Sequence, residues 1–138
     1  MTLSFAEPRK EDRDLPGPYE LLLGIDATLR LTSRDGRIVY EEVLFPIVEL
    51  AVALEDWLAS GLGAGQDFSF DSMESDEPGL VWCRARGDGW NVGALDEESP
   101  DLTIYDNEEV AVLFGRYVQG VDDWLRLALD RSLKDARV

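Results

Sequence analysis

The chain has 138 residues, a length typical of one domain, and 45% of them are hydrophobic, enough to form a core. Its 29 acidic and 13 basic side chains give a formal net charge of -16, and the sequence contains no histidine. The lack of histidine excludes Ser/His/Asp and Cys/His catalysis and imidazole metal sites. Because so negative a protein repels phosphate backbones and anionic lipid, we expect no direct binding of nucleic acid or of a membrane surface.

The cysteine content indicates the compartment. The single cysteine, Cys83, cannot form an internal disulfide, which argues against a secreted disulfide-rich scaffold. Residues 1–14 contain no apolar run of the length that a signal peptide or a membrane span needs. We therefore expect a cytoplasmic protein. No histidine can activate the Cys83 thiol, and its position in a predicted strand favours a small core residue.

The first half of the sequence predicts an arm followed by a β-hairpin. Residues 1–18 mix charges with three prolines and show no apolar period, so we predict a flexible arm there and one domain over residues 19–138. Apolar and polar residues alternate from Tyr19 to Thr32, which predicts a long strand with one buried face. A turn at residues 33–36 then leads into a second strand over residues 37–45.

Two amphipathic helices are predicted, with short strands between them. The first helix begins near Pro46 and ends at Gly61, and the second begins with Asp106 and Glu109 as a capping box. Short strands are predicted at residues 68–71, 80–86, 90–94 and 102–105. This order, ββα followed by three or four strands and a long C-terminal helix, favours an α+β class with a mainly antiparallel sheet. We expect both helices on one face of that sheet and the other face partly open.

No segment has the spacing of a catalytic, cofactor or metal site. The glycine-rich run at residues 61–65 follows a predicted helix and lacks the lysine of a phosphate loop. The acids between residues 67 and 76 lack the ligand spacing of a calcium loop. Paired carboxylates could serve a hydrolase, but among 29 acids such pairs arise by chance. We predict a non-catalytic protein without cofactor or metal.

The acids are unevenly distributed along the chain. Residues 67–77 contain five acids and no base, and residues 87–115 contain eight acids and no base. Such runs either attract a basic protein partner or serve solubility alone. Trp82 and Trp90 flank a predicted turn; either both rings are core residues, or one ring is exposed beside Arg84 and Arg86 and serves as an interface anchor. The predicted partner-binding residues are Asp67, Asp71, Glu74, Asp76, Glu77, Trp82, Trp90, Asp96, Glu97, Glu98 and Asp101.

The general layout supports a comparison with known families. With FPIVELAVALEDWL at residues 45–58 and WLRLALD at residues 124–130, the chain resembles small acidic uncharacterised proteins of actinobacteria and, more loosely, immunity proteins of bacterial polymorphic-toxin systems. The resemblance covers residues 19–130, rests on layout and carries over no site residue. It implies a cytoplasmic inhibitor that binds one basic toxin or nuclease. The alternatives are a structural or adaptor domain whose acidity serves solubility, and a carboxylate-dependent hydrolase.

Overall fold

The computed structural model describes residues 1–10, 17–73, 75, 79–95 and 103–138. A π-helical turn, Trp57–Gly61, extends the second helix, and a 3₁₀ turn, Leu133–Ala136, follows the last. The strands and helices, in chain order, are β1 (Thr2–Lys10), α1 (Pro18–Leu23), β2 (Ile25–Thr32), β3 (Ile38–Pro46), α2 (Ile47–Asp56), β4 (Phe68–Ser69), β5 (Trp82–Arg86), β6 (Gly89–Gly93) and α3 (Asn107–Leu129).

The strands form two antiparallel sheets. The first sheet has the order β1-β2-β3, and the second has the order β4-β5-β6. An isolated antiparallel bridge between Trp90 and Tyr105 adds one more segment beside β6. The α+β class and the antiparallel pairing predicted from the sequence are confirmed, although the strands divide between two sheets instead of joining one.

The first ten residues are not a loose arm, as the sequence predicted. Strand β1 pairs with β2 from Thr2 opposite Thr32 to Lys10 opposite Ile25. Leu3 is buried, and the half-buried Phe5 ring meets the Tyr117 ring edge to face, with the centroids 6.0 Å apart. The prediction was wrong because two apolar residues among charges and prolines give too weak a period to reveal a strand. Residues 11–16 of the predicted arm lie outside the described residues.

The long strand predicted from Tyr19 is a short helix followed by a shorter strand. Consecutive leucines let helix α1 bury Leu21 and Leu22. Gly24 ends this helix by donating its N–H to the Glu20 carbonyl oxygen over 2.8 Å. A Cβ at residue 24 would lie 2.5 Å from that oxygen, so the position requires glycine. Beyond it β2 and β3 form the predicted hairpin.

Helices α2 and α3 pack side by side over the first sheet, as predicted. The Tyr117 hydroxyl of α3 donates to the Ile47 carbonyl oxygen of α2 over 2.7 Å in the protein interior. Burial raises the pKa of this phenol well above its ordinary value. The opposite face of β2 carries Thr28, Arg30 and Thr32, which are at least partly exposed. One face of the first sheet is therefore covered and the other is open.

The predicted capping box at the start of α3 is present. The Asp106 carboxylate accepts from the Glu109 N–H over 2.8 Å, and the Glu109 carboxylate accepts from the Asp106 N–H over 3.1 Å. These bonds satisfy two donors that would otherwise lack a partner at the helix start.

Among the described residues, no helix combines the length and the apolar character needed to cross a bilayer.

Candidate partner-binding surface

The structure describes four of the eleven predicted partner-binding residues. These four are Asp67, Asp71, Trp82 and Trp90. The other seven predicted residues, which lie outside the described residues, are Glu74, Asp76, Glu77, Asp96, Glu97, Glu98 and Asp101.

Asp67 and Asp71 are both exposed, but they lie at opposite ends of β4. The Asp67 carboxylate accepts from the backbone N–H of Ala85 over 2.8 Å, at the end where β5 turns into β6. The Asp71 carboxylate accepts from the backbone N–H of Gly79 over 2.8 Å, beyond the start of β5. The two carboxylates therefore do not belong to one continuous acidic edge, although they are only four residues apart in sequence.

Of the two alternatives for the tryptophans, the structure shows burial of both rings, so neither Trp82 nor Trp90 is an exposed anchor. Trp82 is only 5% exposed, and its indole N–H donates to the Leu95 carbonyl oxygen over 2.8 Å. Its ring lies on Gly93 of the paired strand, where a Cβ would be 2.4 Å from the ring atom Cζ2. The Arg84 guanidinium stacks over the ring, 4.1 Å from its centroid.

Trp90 is buried on the opposite face of the second sheet. Trp90 pairs with Ala85, whereas Trp82 precedes Ala85 by three residues on β5, so the two rings point to opposite sides. Trp90 is 3% exposed, and its indole N–H donates to the Asn107 side-chain oxygen over 2.6 Å. Its ring meets the Trp57 ring edge to face, with the centroids 5.3 Å apart. Trp90 belongs to the hydrophobic core, whereas Trp82 lies on the other face of the second sheet under the Arg84 guanidinium.

The fold collects exposed carboxylates at the end of the second sheet where β5 turns into β6. Asp88 lies in that turn, and Asp67, which directly precedes β4, accepts from the Ala85 N–H near the same end of β5. On the other side Tyr105 pairs with Trp90, so the chain leaves the sheet at this same end and continues into Asp106 and Glu108. We call Asp67, Asp88, Asp106 and Glu108 the acidic end. Neighbouring segments of a sheet lie about 5 Å apart, so these four exposed carboxylates, spread over one end of the second sheet, make that end negative.

The acidic end has basic neighbours that the sequence places elsewhere. Arg34, in the turn between β2 and β3, donates to the Glu109 carboxylate over 2.7 Å. The same guanidinium lies 5.2 Å from the centroid of the Tyr105 ring. Arg86 is exposed on β5, opposite Gly89. The stretch from residue 87 to residue 115 is free of bases in sequence but not in space, and no sequence signal links Arg34 to it.

A hollow of about 390 Å³ adjoins the acidic end. It lies between the start of β1, the turn that carries Arg34, and the first half of α3. Leu3 and Val112 supply apolar walls, whereas Glu108 and Arg116 bring charges of opposite sign to its lining. The hollow thus offers an apolar recess next to exposed carboxylates.

The buried thiol and the buried carboxylate, which could in principle react, have structural roles. Burial, together with the negative charge of Asp67, raises the pKa of the Cys83 thiol to about 12, which keeps it protonated at neutral pH. Its burial confirms the prediction of a core residue. The buried Glu49 carboxylate accepts from the Ser72 hydroxyl over 2.6 Å and from the Met73 N–H over 3.0 Å. Within the described part of the chain, no three metal-ligating side chains cluster.

These observations define an α+β domain with two antiparallel sheets and a group of exposed carboxylates at one end of the second. A family model described as "Domain of unknown function (DUF7878)" matches residues 2–127. Since this match covers most of the chain, the protein belongs to that family. The matched range includes β1, which makes that strand part of the family domain. Neither the curated proteins nor the solved structures gave a match to the chain.

Proposed function

We propose that this chain is a non-catalytic binding protein, most concretely an immunity-type inhibitor that binds a basic toxin or nuclease. The observation that carries the proposal is the acidic end, where four carboxylates are exposed on adjacent segments of a protein with a net charge of -16. A concentrated negative surface attracts a basic partner and makes the encounter fast and sensitive to salt. The seven predicted acids outside the described residues are also proposed to contact the partner, on the evidence of the sequence alone.

The buried tryptophans change the expected composition of the contact. Neither Trp82 nor Trp90 offers a ring to a partner, so the proposed contact at this end is mainly electrostatic. The adjoining hollow, with Leu3 and Val112 in its walls, supplies the apolar surface beside the carboxylates. Arg34 and Arg86 limit the net charge at this end, which favours a partner with a defined pattern of bases over any polycation.

Three features support the proposal that the protein performs no chemistry and works in the cytoplasm. The one thiol is buried, and burial holds its pKa at about 12. The buried carboxylate of Glu49 is engaged by Ser72 and Met73. A single cysteine that cannot form an internal disulfide suits a reducing compartment.

The proposal is tested by capture of a partner with charge variants as controls. The tagged chain is used as bait in its native host, with the product of the neighbouring open reading frame as the first candidate. Asp88→Lys reverses a charge at the acidic end, and Asp123→Lys makes the same change near the other end of α3. Both variants shift the net charge equally, so only the position of the change differs between them.

We expect the wild-type chain to retain a basic protein, Asp88→Lys to weaken that binding about tenfold, and Asp123→Lys to weaken it less than about twofold. Retention that responds equally to both variants would favour the alternative of an adaptor domain whose acidity serves solubility. Co-expression adds a functional readout, since an immunity-type inhibitor restores growth to cells that express the captured protein.

A further inference from the structure

Val43 and Leu44 form an apolar pair on β3 that the fold leaves exposed. The exposed fraction is 61% for Val43 and 58% for Leu44. The register pairs Ala27 with Phe45 and Leu29 with Glu42, so two residues of β3 lie opposite the single residue between Ala27 and Leu29 on β2. This is a β-bulge, and such bulges redirect side chains at sheet edges. We call Val43 and Leu44 the apolar ridge.

The backbone at the ridge is unfavourable for the residue it carries. Leu44 has a φ of 55°, in the left-handed region that favours glycine. Glycine would satisfy this bulge without strain and without an exposed apolar side chain. The leucine is therefore unfavourable for the backbone at this position, and most of its side chain remains exposed. Strain that persists at an exposed residue is characteristic of sites that contact other molecules.

Two hollows flank the ridge, and each is bordered by a further strained residue. The hollow on the open face of the first sheet has a volume of about 360 Å³ and includes Glu7, whose φ is 54°. The hollow on the other side has a volume of about 280 Å³ and includes Leu95, whose φ is 55°. Among the described non-glycine residues, the one other left-handed position is Asp130, the ordinary C-cap of α3.

The charge around the ridge selects the kind of partner. Among the described residues that border the two hollows, Glu7, Asp26 and Glu42 are acidic and Arg9 is basic. This excess of carboxylates attracts a basic protein. It disfavours a second copy of the same chain, because two antiparallel copies of β3 would bring their own carboxylates together in a pair of proteins that each carry a charge of -16.

We propose that the apolar ridge is a contact surface for a basic protein partner, one whose apolar side chain covers Val43 and Leu44 while a lysine or arginine beside it reaches a carboxylate in either hollow. This inference rests on the proposed function and extends it, since the ridge belongs to the first sheet and the acidic end to the second. It supplies the apolar anchor that the buried tryptophans do not.

Two synthetic peptides of equal charge provide the probe. Both have about ten residues, a length that matches an ordinary strand; one alternates lysine with valine, and the other alternates lysine with serine. Each is titrated into the ¹⁵N-labelled full chain, and the amide signals are followed by NMR. The variant Leu44→Gly removes the ridge side chain at a position whose positive φ glycine adopts without strain. Its spectrum is therefore expected to remain that of a folded protein.

We expect the lysine/valine peptide to shift the backbone amide signals of residues 42–45 and 26–28 and those of Glu7 and Arg9. Leu44→Gly, or the replacement of valine by serine in the peptide, is expected to weaken this binding at least about fivefold, as for a contact that anchors an interface. Shifts confined to the acidic end and insensitive to Leu44→Gly would overturn the ridge while leaving the proposed function intact. Absence of any shift would also overturn the ridge as a contact surface. The proposed function is decided separately, by whether the capture experiment retains a basic protein.

Discussion

Arg34 donates from Nη2 to Oε2 of Glu109 over 2.7 Å, although 75 residues separate them in sequence. The contact connects the turn between β2 and β3 to the first turn of α3. It also places a positive charge beside the acidic end, where the sequence alone shows only acids. The field that a partner meets is therefore determined by tertiary structure as well as by composition.

Replacing Arg34 by Met is expected to strengthen the binding of a basic partner about two- to threefold, because the Glu109 carboxylate loses its internal cation. The free energy of unfolding should fall by less than about 1 kcal/mol, since exposed ion pairs contribute little. Binding titrations and urea unfolding measure the two effects. Arg126→Met, which breaks an ion pair with Asp122 further along α3, is the control. Weaker binding by Arg34→Met would contradict this assignment.

Asp106 has a capping role that can be separated from its charge. Asp106→Ala removes the acceptor for the Glu109 N–H and is expected to lower the free energy of unfolding by about 1 kcal/mol. Asp106→Asn keeps a cap of comparable strength without the charge, so it should retain most of the stability. Thermal unfolding of both variants makes the comparison. Equal destabilisation by alanine and asparagine would argue against the cap.

Leu44→Gly is expected to raise the free energy of unfolding. The left-handed backbone costs a leucine about 1–2 kcal/mol. Glycine gives back part of that gain through its larger unfolded-state entropy, which leaves a net gain of up to about 1 kcal/mol. The adjacent Val43→Gly, at a residue without a positive φ, should destabilise instead. Urea unfolding of both variants tests this, and destabilisation by Leu44→Gly would show that the leucine supports the fold.

Asp122 is expected to stabilise the protein at neutral pH and to lose that effect in acid. Burial alone would raise the pKa of this carboxyl, but hydrogen bonds from Arg126 and from the Leu133 N–H outweigh burial and lower the pKa below 3.8. The stabilisation is complete above the pKa of the unfolded chain and is lost as pH falls through the lower pKa of the folded protein. Asp122→Asn should therefore differ from wild type in urea unfolding at pH 7, and the difference should shrink as the pH falls below the pKa of the unfolded chain. A constant difference would contradict this.

Strong local patterns made part of the fold predictable from the sequence. The apolar stripes of α2 and α3 repeat over several turns, and the alternation along β2 repeats over several residue pairs. The capping box marks the start of α3. Strand β1 was missed because its evidence consists of Leu3 and Phe5, whose partners lie on β2 and α3. Alternate residues from Tyr19 onward are apolar, and this pattern predicted a strand where α1 lies. The consecutive leucines before Gly24 break the alternation and are typical of a buried helical turn.

The candidate surface was less predictable, because it depends on which segments become neighbours. The burial of Trp82 follows from Gly93 opposite it and from Leu95, which accepts its N–H. The pairing of Trp82 with Gly93 and the position of Leu95 beside the indole depend on tertiary structure, and composition does not predict them. The same holds for the strained exposure of Leu44, which arises from a bulge in the pairing of β2 with β3.

Binding at the acidic end is tested by the affinity of the captured basic partner at two salt concentrations, about 50 mM and 300 mM, for wild type, Asp88→Lys and Asp123→Lys. If the acidic end binds the partner, the wild-type affinity falls steeply with salt, Asp88→Lys binds more weakly with a shallower salt dependence, and Asp123→Lys follows wild type. An affinity that changes neither with salt nor with Asp88→Lys would show that the acidic end does not bind the partner.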